Sequence, residues 1–231
     1  MSGWDLKEGE VKKNCLTDYE LWEKHKKFFS KKTVMKTIYK ILLYESLLES
    51  SVETDEINIF EIASIKFAQK YWDFKNNNNL KITMYNGKSY KSSQEIIIEK
   101  TKKDYNLKNI NFNSLSYFVK LDYITETKKI LKINVLGALY NDFNGTIYSF
   151  EKKTEKLVLN KYFLSFFKRN LYVLKKLNNY RMIEFLKQLN KGNYDIESYF
   201  EKNHLELTEP LYLKIENQIE KFQNLEMNIL K

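Results

Sequence analysis

The sequence predicts a mainly α fold, a multi-helix domain with a small β-hairpin near the middle. Three observations lead there. The 231 residues hold one proline and six glycines, too few breakers for a many-turned β architecture. Apolar side chains recur at i, i+3 and i+4 through one stretch after another, the period of a helix. The period changes cleanly to two in "TIYSF" (Thr146–Phe150), just after a polar break.

Taken in order, the first 15 residues read as a loose arm with Trp4 and Leu6 as docking points. Thr17 caps a helix through "DYELWEKHKKFFS", because Glu20 stands three residues later and completes a capping box. Thr33 to Ser50 forms a second helix, with Val34, Ile38, Ile41, Leu42 and Leu48 on one side. After the acidic turn "ETDE" the same pattern returns over Ile59–Phe74. The Asn76–Asn79 run is a loop, and Asn86-Gly87 in "LKITMYNGKSY" signals a short hairpin. Helices follow at Ser92–Asp104 and Phe118–Tyr140. The chain then breaks at Asp142-Phe143-Asn144-Gly145, where Asn-Gly adopts positive φ cheaply. Ile147–Phe150 pairs with "KLVLN" across the polar turn Lys152–Glu155. Two helices, Lys161–Leu177 and Tyr180–Leu189, complete residues 1–190 as one helical domain with a central hairpin. Residues 191–231 form a C-terminal helical appendage, Glu209–Leu230, capped by Thr208 with Pro210 in its first turn.

Composition narrows the function. With 43% hydrophobic and 30% charged residues the chain is globular rather than disordered. Its formal charge of +9 comes almost wholly from lysine, Arg169 and Arg181 being the arginines. A cationic surplus points to a polyanion, and lysine suits phosphate contact better than bidentate base reading. The single Cys15 excludes an internal disulfide and a multi-cysteine zinc site. No stretch approaches the roughly 20 apolar residues that a membrane helix needs, and the N-terminus has no apolar signal core. A cytoplasmic protein without membrane contact is expected.

The clearest functional pattern lies on Lys161–Leu177. At about 100° per residue, Lys161, Lys168, Arg169, Tyr172, Lys175 and Lys176 gather on one face, with no acid of that helix between them. Phe163, Phe166, Phe167, Leu171, Leu174 and Leu177 gather on the other. A row of cations can neutralise successive phosphates, and a tyrosine among them can stack on a base. Lys12-Lys13 and "KHKKFFSKK" (Lys24–Lys32) form a second basic concentration. In the appendage Tyr212, Ile215, Ile219 and Phe222 make an apolar line suited to a partner's groove.

Asp142 followed by Glu151-x-Lys153 has the order of a PD-(D/E)xK nuclease, two carboxylates for Mg²⁺ and a lysine. Such motifs need a larger sheet, and Glu-x-Lys recurs at Glu126–Lys128, so the preferred reading is a turn and a strand end. His25, set between lysines, and His204, in a loop, read as surface residues without ligand spacing. Neither Cys15 nor any glycine-rich loop supports nucleophilic or P-loop chemistry. No cofactor or metal is expected.

Four stretches, "KTVMKTIYKILLYESLL", "FAQKYWDF", "NVLGALYNDFNGTIYSF" and "LKKLNNYRMIEFLKQLN", resemble in that order the N-terminal helical region of a prokaryotic HNH endonuclease family. The resemblance covers roughly Lys31 to Asn190 and is clearest over Val135–Phe150. It implies the family's helical platform. The family's metal module, with its histidine-rich motif and cysteine pairs, has no counterpart after Asn190, so no metal-binding residue carries over. The combined expectation is a non-catalytic, DNA- rather than RNA-binding accessory or recognition subunit of a bacterial antiviral defence or DNA-processing complex, with a partner protein supplying catalysis. The alternative is an adaptor or inhibitor that docks through its C-terminal helix, and a Mg²⁺-dependent nuclease is the weaker third.

Overall fold

The computed structural model describes residues 8–12, 15–30, 33–53, 58–77, 80–85, 88–89 and 91–191. A two-residue strand β1 (Glu8–Gly9) precedes α1 (Asp18–Phe29). The predicted capping box is present: Glu20 N donates to Thr17 Oγ1 at 3.2 Å, and Thr17 N donates to the Glu20 carboxylate at 3.0 Å. Next come α2 (Tyr39–Glu53), α3 (Phe60–Asn77), the short strands β2 (Met84–Tyr85) and β3 (Lys88–Ser89), and α4 (Ser93–Asp104). After them stand α5 (Tyr117–Ile130), a five-residue π turn Leu131–Val135, and α6 (Leu136–Asp142). Strands β4 (Tyr148–Glu151) and β5 (Lys156–Leu159) lead into α7 (Lys161–Leu189). The fold is mainly α, as the scarcity of breakers predicts.

The centre of the packing is α2, which lies against both α3 and α7. Burial on two sides explains why Leu42, Leu43, Leu47 and Leu48 are all inaccessible. It also explains its serines. Ser46, Ser50 and Ser51 are small enough to let helices approach, and their hydroxyls donate to Leu42 O, Ser46 O and Leu48 O at 2.7 Å each. Between α2 and α3 Lys70 Nζ binds Glu45 at 3.0 Å and Glu49 at 3.1 Å. Burial pulls the Lys70 pKa down, but the two carboxylates outweigh it and leave the ammonium above its ordinary value.

Five expectations need correction. The second helix begins at Tyr39, not Thr33, because Thr37 pairs as an isolated bridge with Thr83 and holds the preceding residues extended. The Phe118–Tyr140 helix is broken in register by the π turn, and its helical path continues to Asp142. The two helices drawn at Lys161–Leu177 and Tyr180–Leu189 are one helix of 29 residues. Asn178 does not break it, since its side chain is buried and donates to Ile41 O of α2 at 3.2 Å.

The hairpin gains a third strand. β4 pairs with β5 as predicted, in a register that sets Tyr148 opposite Leu159 and Glu151 opposite Lys156, while β1 adds to its other edge. So part of the N-terminal arm is sheet: Lys12 N donates to Gly145 O at 2.9 Å, and Tyr140 Oη donates to Glu10 O. Lastly, His25 is not at the surface. It is fully buried, as i+4 to Leu21 and i−3 to Phe28 on the inner face of α1. Rings from Phe143, Phe163 and Phe166 stand 5.2–5.5 Å away. The flanking lysines point out, and periodicity wins over neighbours.

Candidate nucleic-acid interface

α7 starts where its sequence says it should. Asn160 caps it, its side-chain oxygen accepting from Tyr162 N at 2.9 Å. Phe163, Phe166, Phe167, Leu174 and Leu177 are buried as the helical wheel predicts, and Leu171 packs half-buried at the core's edge. The opposite face points outward. Lys161, Lys168, Arg169 and Tyr172 are exposed, whereas Lys175 and Lys176 are half-buried.

The six residues do not form one uninterrupted cationic row. Arg169 Nη2 lies 2.6 Å from Asp18 at the start of α1, and Lys175 Nζ lies 3.5 Å from Glu49 of α2. Angular position explains which two are taken. Set Lys161 at zero; at about 100° per residue Lys168, Tyr172 and Lys176 fall at about −20°, 20° and 60°. On the same scale Arg169 and Lys175 are the flanks, at about 80° and −40°. Neighbouring helices rise beside those flanks and carry the acids. Along the middle Lys161, Lys168 and Tyr172 are exposed, and Lys176 is half-buried beside them.

From Lys161 to Lys176 the helix rises about 22 Å at 1.5 Å per residue, the axial length of about six base pairs. Tyr172 is 70% exposed, and Lys176 Nζ sits over its ring at 5.6 Å from the centroid. Lys161 Nζ lies over the Tyr162 ring at 5.2 Å. Such placement holds each ammonium near the helix surface and leaves one face of the Tyr172 ring to meet a planar group. On α1 Lys26 and Lys27 are also exposed, and residues 31 and 32 of that basic stretch lie outside the described residues. Tyr212, Ile215, Ile219, Phe222 and His204 also lie outside them.

The three residues of the nuclease order go to separate tasks. Asp142 ends α6 and pairs with Lys40 Nζ at 2.7 Å. Burial raises its carboxyl above the ordinary range, and Lys40 and Lys27 only moderate this. Glu151 closes β4 and accepts from Thr154 Oγ1 at 2.6 Å. Lys153 is exposed in the turn. Among the described residues no group of three or more His, Cys, Asp or Glu side chains gathers to hold a metal ion, and no helix is long and apolar enough to cross a membrane.

One surface feature escaped the sequence reading. Tyr117 and Phe118 open α5 at 73% and 72% exposure, with Leu121 exposed one turn on. The signal was there: Ser116 caps the helix, and adjacent Tyr-Phe cannot both face inward. Comparison with protein-family models, curated proteins and solved structures gave no match to this chain.

Proposed function

We propose that the protein binds nucleic acid as an accessory subunit, gripping the phosphate backbone along α7 and leaving bond cleavage to a partner protein. One observation carries the reading: Lys161, Lys168 and Tyr172 stand exposed on one face of α7, with half-buried Lys176 beside them. Lysines along a rigid helix supply a sequence-independent grip, and the exposed tyrosine ring adds a stacking platform. Helix α7 is anchored by its buried phenylalanines, so its backbone needs no ordering on binding. DNA rather than RNA, and a role in antiviral defence or DNA processing, follow from the sequence resemblance.

A salt titration tests it. If Lys168 and Lys176 each neutralise one phosphate of duplex DNA, the slope of log affinity against log salt falls by about 1.8 in the Lys168→Gln, Lys176→Gln double variant. An affinity that is insensitive to salt, or equal in the double variant and the parent, refutes the reading. A second reading, a protein–protein adaptor, draws on exposed Tyr117, Phe118 and Leu121. It predicts that Phe118→Ala abolishes partner capture while nucleic-acid affinity stays unchanged.

A further inference from the structure

We propose that the groove between α4 and α5 seats an arginine side chain of a partner protein, while an apolar residue of the same partner segment covers Phe118 and Leu121 at its rim. The inference rests on the adaptor reading of that aromatic surface and adds what the partner brings to it. The groove is a cleft of about 450 Å³, a size ordinary for binding clefts. Ile97 and Thr101 of α4, Tyr105 just after it and Thr125 of α5 line it.

Charge selects the occupant. The chain carries +9, yet this lining holds three acids, Asp104, Asp122 and Glu126, against one cation, Lys100, a net −2. Glu126 is already paired, with Lys129 Nζ at 2.5 Å. Asp104 and Asp122 are exposed, and among the described residues no lysine or arginine pairs with either. Asp122 instead accepts from the Tyr105 hydroxyl. That hydrogen bond holds the phenol above its ordinary pKa, and the charges of Asp122 and Asp104 add to it, so both carboxylates act on one oxygen. Two carboxylates near one point, beside a ring that is 40% exposed, suit a planar guanidinium that pairs with the acids and stacks on the ring. A lysine ammonium would use the charge but not the plane.

The rim fixes the rest of the partner's chemistry. Phe118 stands one turn before Asp122, and Leu121 one turn before Thr125, so the exposed apolar surface runs directly into the groove. The rings of Tyr117 and Phe118 meet edge to face, 5.7 Å between centroids. Lys120 is turned to other work: its Nζ donates to Asn113 O at 2.8 Å and lies over the Phe112 ring. A phosphate backbone or an anionic headgroup drawn to these rings would meet the Asp122 charge one turn away. A helical segment with an arginine three or four residues from a leucine-like side chain matches both features, because that spacing sets the two about 5–6 Å apart.

Nuclear magnetic resonance of the full chain tests this with Nα-benzoyl-arginine amide, which carries a guanidinium and a ring on one short stem. Saturable shifts of the Thr101, Tyr105, Asp122 and Thr125 amides are expected, with half-saturation on the order of 1 mM. The citrulline analogue, neutral and of similar shape, is expected to bind about fivefold more weakly, as is the arginine ligand to the Asp104→Asn, Asp122→Asn double variant. Phe118→Ala is expected to weaken benzoyl-arginine amide and to leave acetyl-arginine amide unchanged. No shift up to about 10 mM, equal binding of the arginine and citrulline forms, or equal binding of benzoyl-lysine amide overturns the inference. So does a 20-nucleotide oligo-dT that moves the same amides. None of these outcomes touches the adaptor reading, which stands or falls on whether Phe118→Ala removes partner capture.

Discussion

Replacing His25 with phenylalanine is expected to remove an acid sensitivity from the fold. The imidazole is fully buried, Nδ1 donates to Leu21 O at 2.6 Å, and Nε2 meets no polar partner. The rings of Trp22, Tyr44, Phe143 and Phe163 are among those that surround it. Burial lowers its pKa from 6.5 to about 4, with the Leu21 carbonyl opposing only weakly. The sign follows from proton counting. Above pH 6.5 His25 is neutral in folded and unfolded chains alike and costs nothing. As pH falls through 6.5 the unfolded chain takes up a proton that the folded one refuses, so stability declines until about pH 4, where the folded ring also protonates. At about 1.4 kcal/mol per pH unit the loss across that window is about 3 kcal/mol.

Phenylalanine keeps a ring of similar shape and removes the unpartnered Nε2, so at about pH 7 the variant is expected within about 1 kcal/mol of the parent. Urea unfolding of both proteins from about pH 7 to about pH 4 provides the assay. Carboxylates common to both cancel in the difference, and so does His204. The variant's advantage is expected to grow by about 3 kcal/mol as pH falls. A difference constant to within about 0.5 kcal/mol, or a His25 imidazole that titrates near 6.5 in the folded protein, refutes the argument.

Two further substitutions probe the framework that positions α7. Gly145 has φ +67°, and an added Cβ would lie 2.6 Å from both Cζ and Oη of Tyr140, the ring whose hydroxyl holds the backbone of β1's extension. Gly145→Ala is expected to cost about 2 kcal/mol or more in thermal unfolding, from the left-handed backbone and the displaced ring together; a loss under about 0.5 kcal/mol refutes it. Asn190→Ala leaves Lys81 N and O without the side chain that satisfies both, at an expected cost of about 1–3 kcal/mol. Its specific readout is faster hydrogen exchange at the Lys81 amide, and unchanged exchange there refutes the clamp.

The local signals were the legible ones. Thr17-x-x-Glu20 and Ser92-x-x-Glu95 specify capping boxes through neighbours three residues apart, and both are present. Asn144-Gly145 marks the corner where α6 gives way to β4, and both residues take positive φ there. The inner face of α7 followed directly from its phenylalanine and leucine spacing. These features depend on chain distances of a few residues, which any one-dimensional reading contains.

The misread features depend on partners far along the chain. Tyr39 starts α2 because Thr37 is held by Thr83, and Asn178 stays helical because Ile41 accepts its amide hydrogen. Glu8 and Gly9 become a strand only when β4 is there to pair with. The cationic face shows the same division. Helical geometry alone aligned Lys161, Lys168, Arg169, Tyr172, Lys175 and Lys176, but only the approach of α1 and α2 brought Asp18 and Glu49 to the two flanks. Dihedral preference and side-chain period act within one segment, whereas a charge's strength on a surface depends on every segment within a few ångströms. That second quantity comes into being when the helices pack.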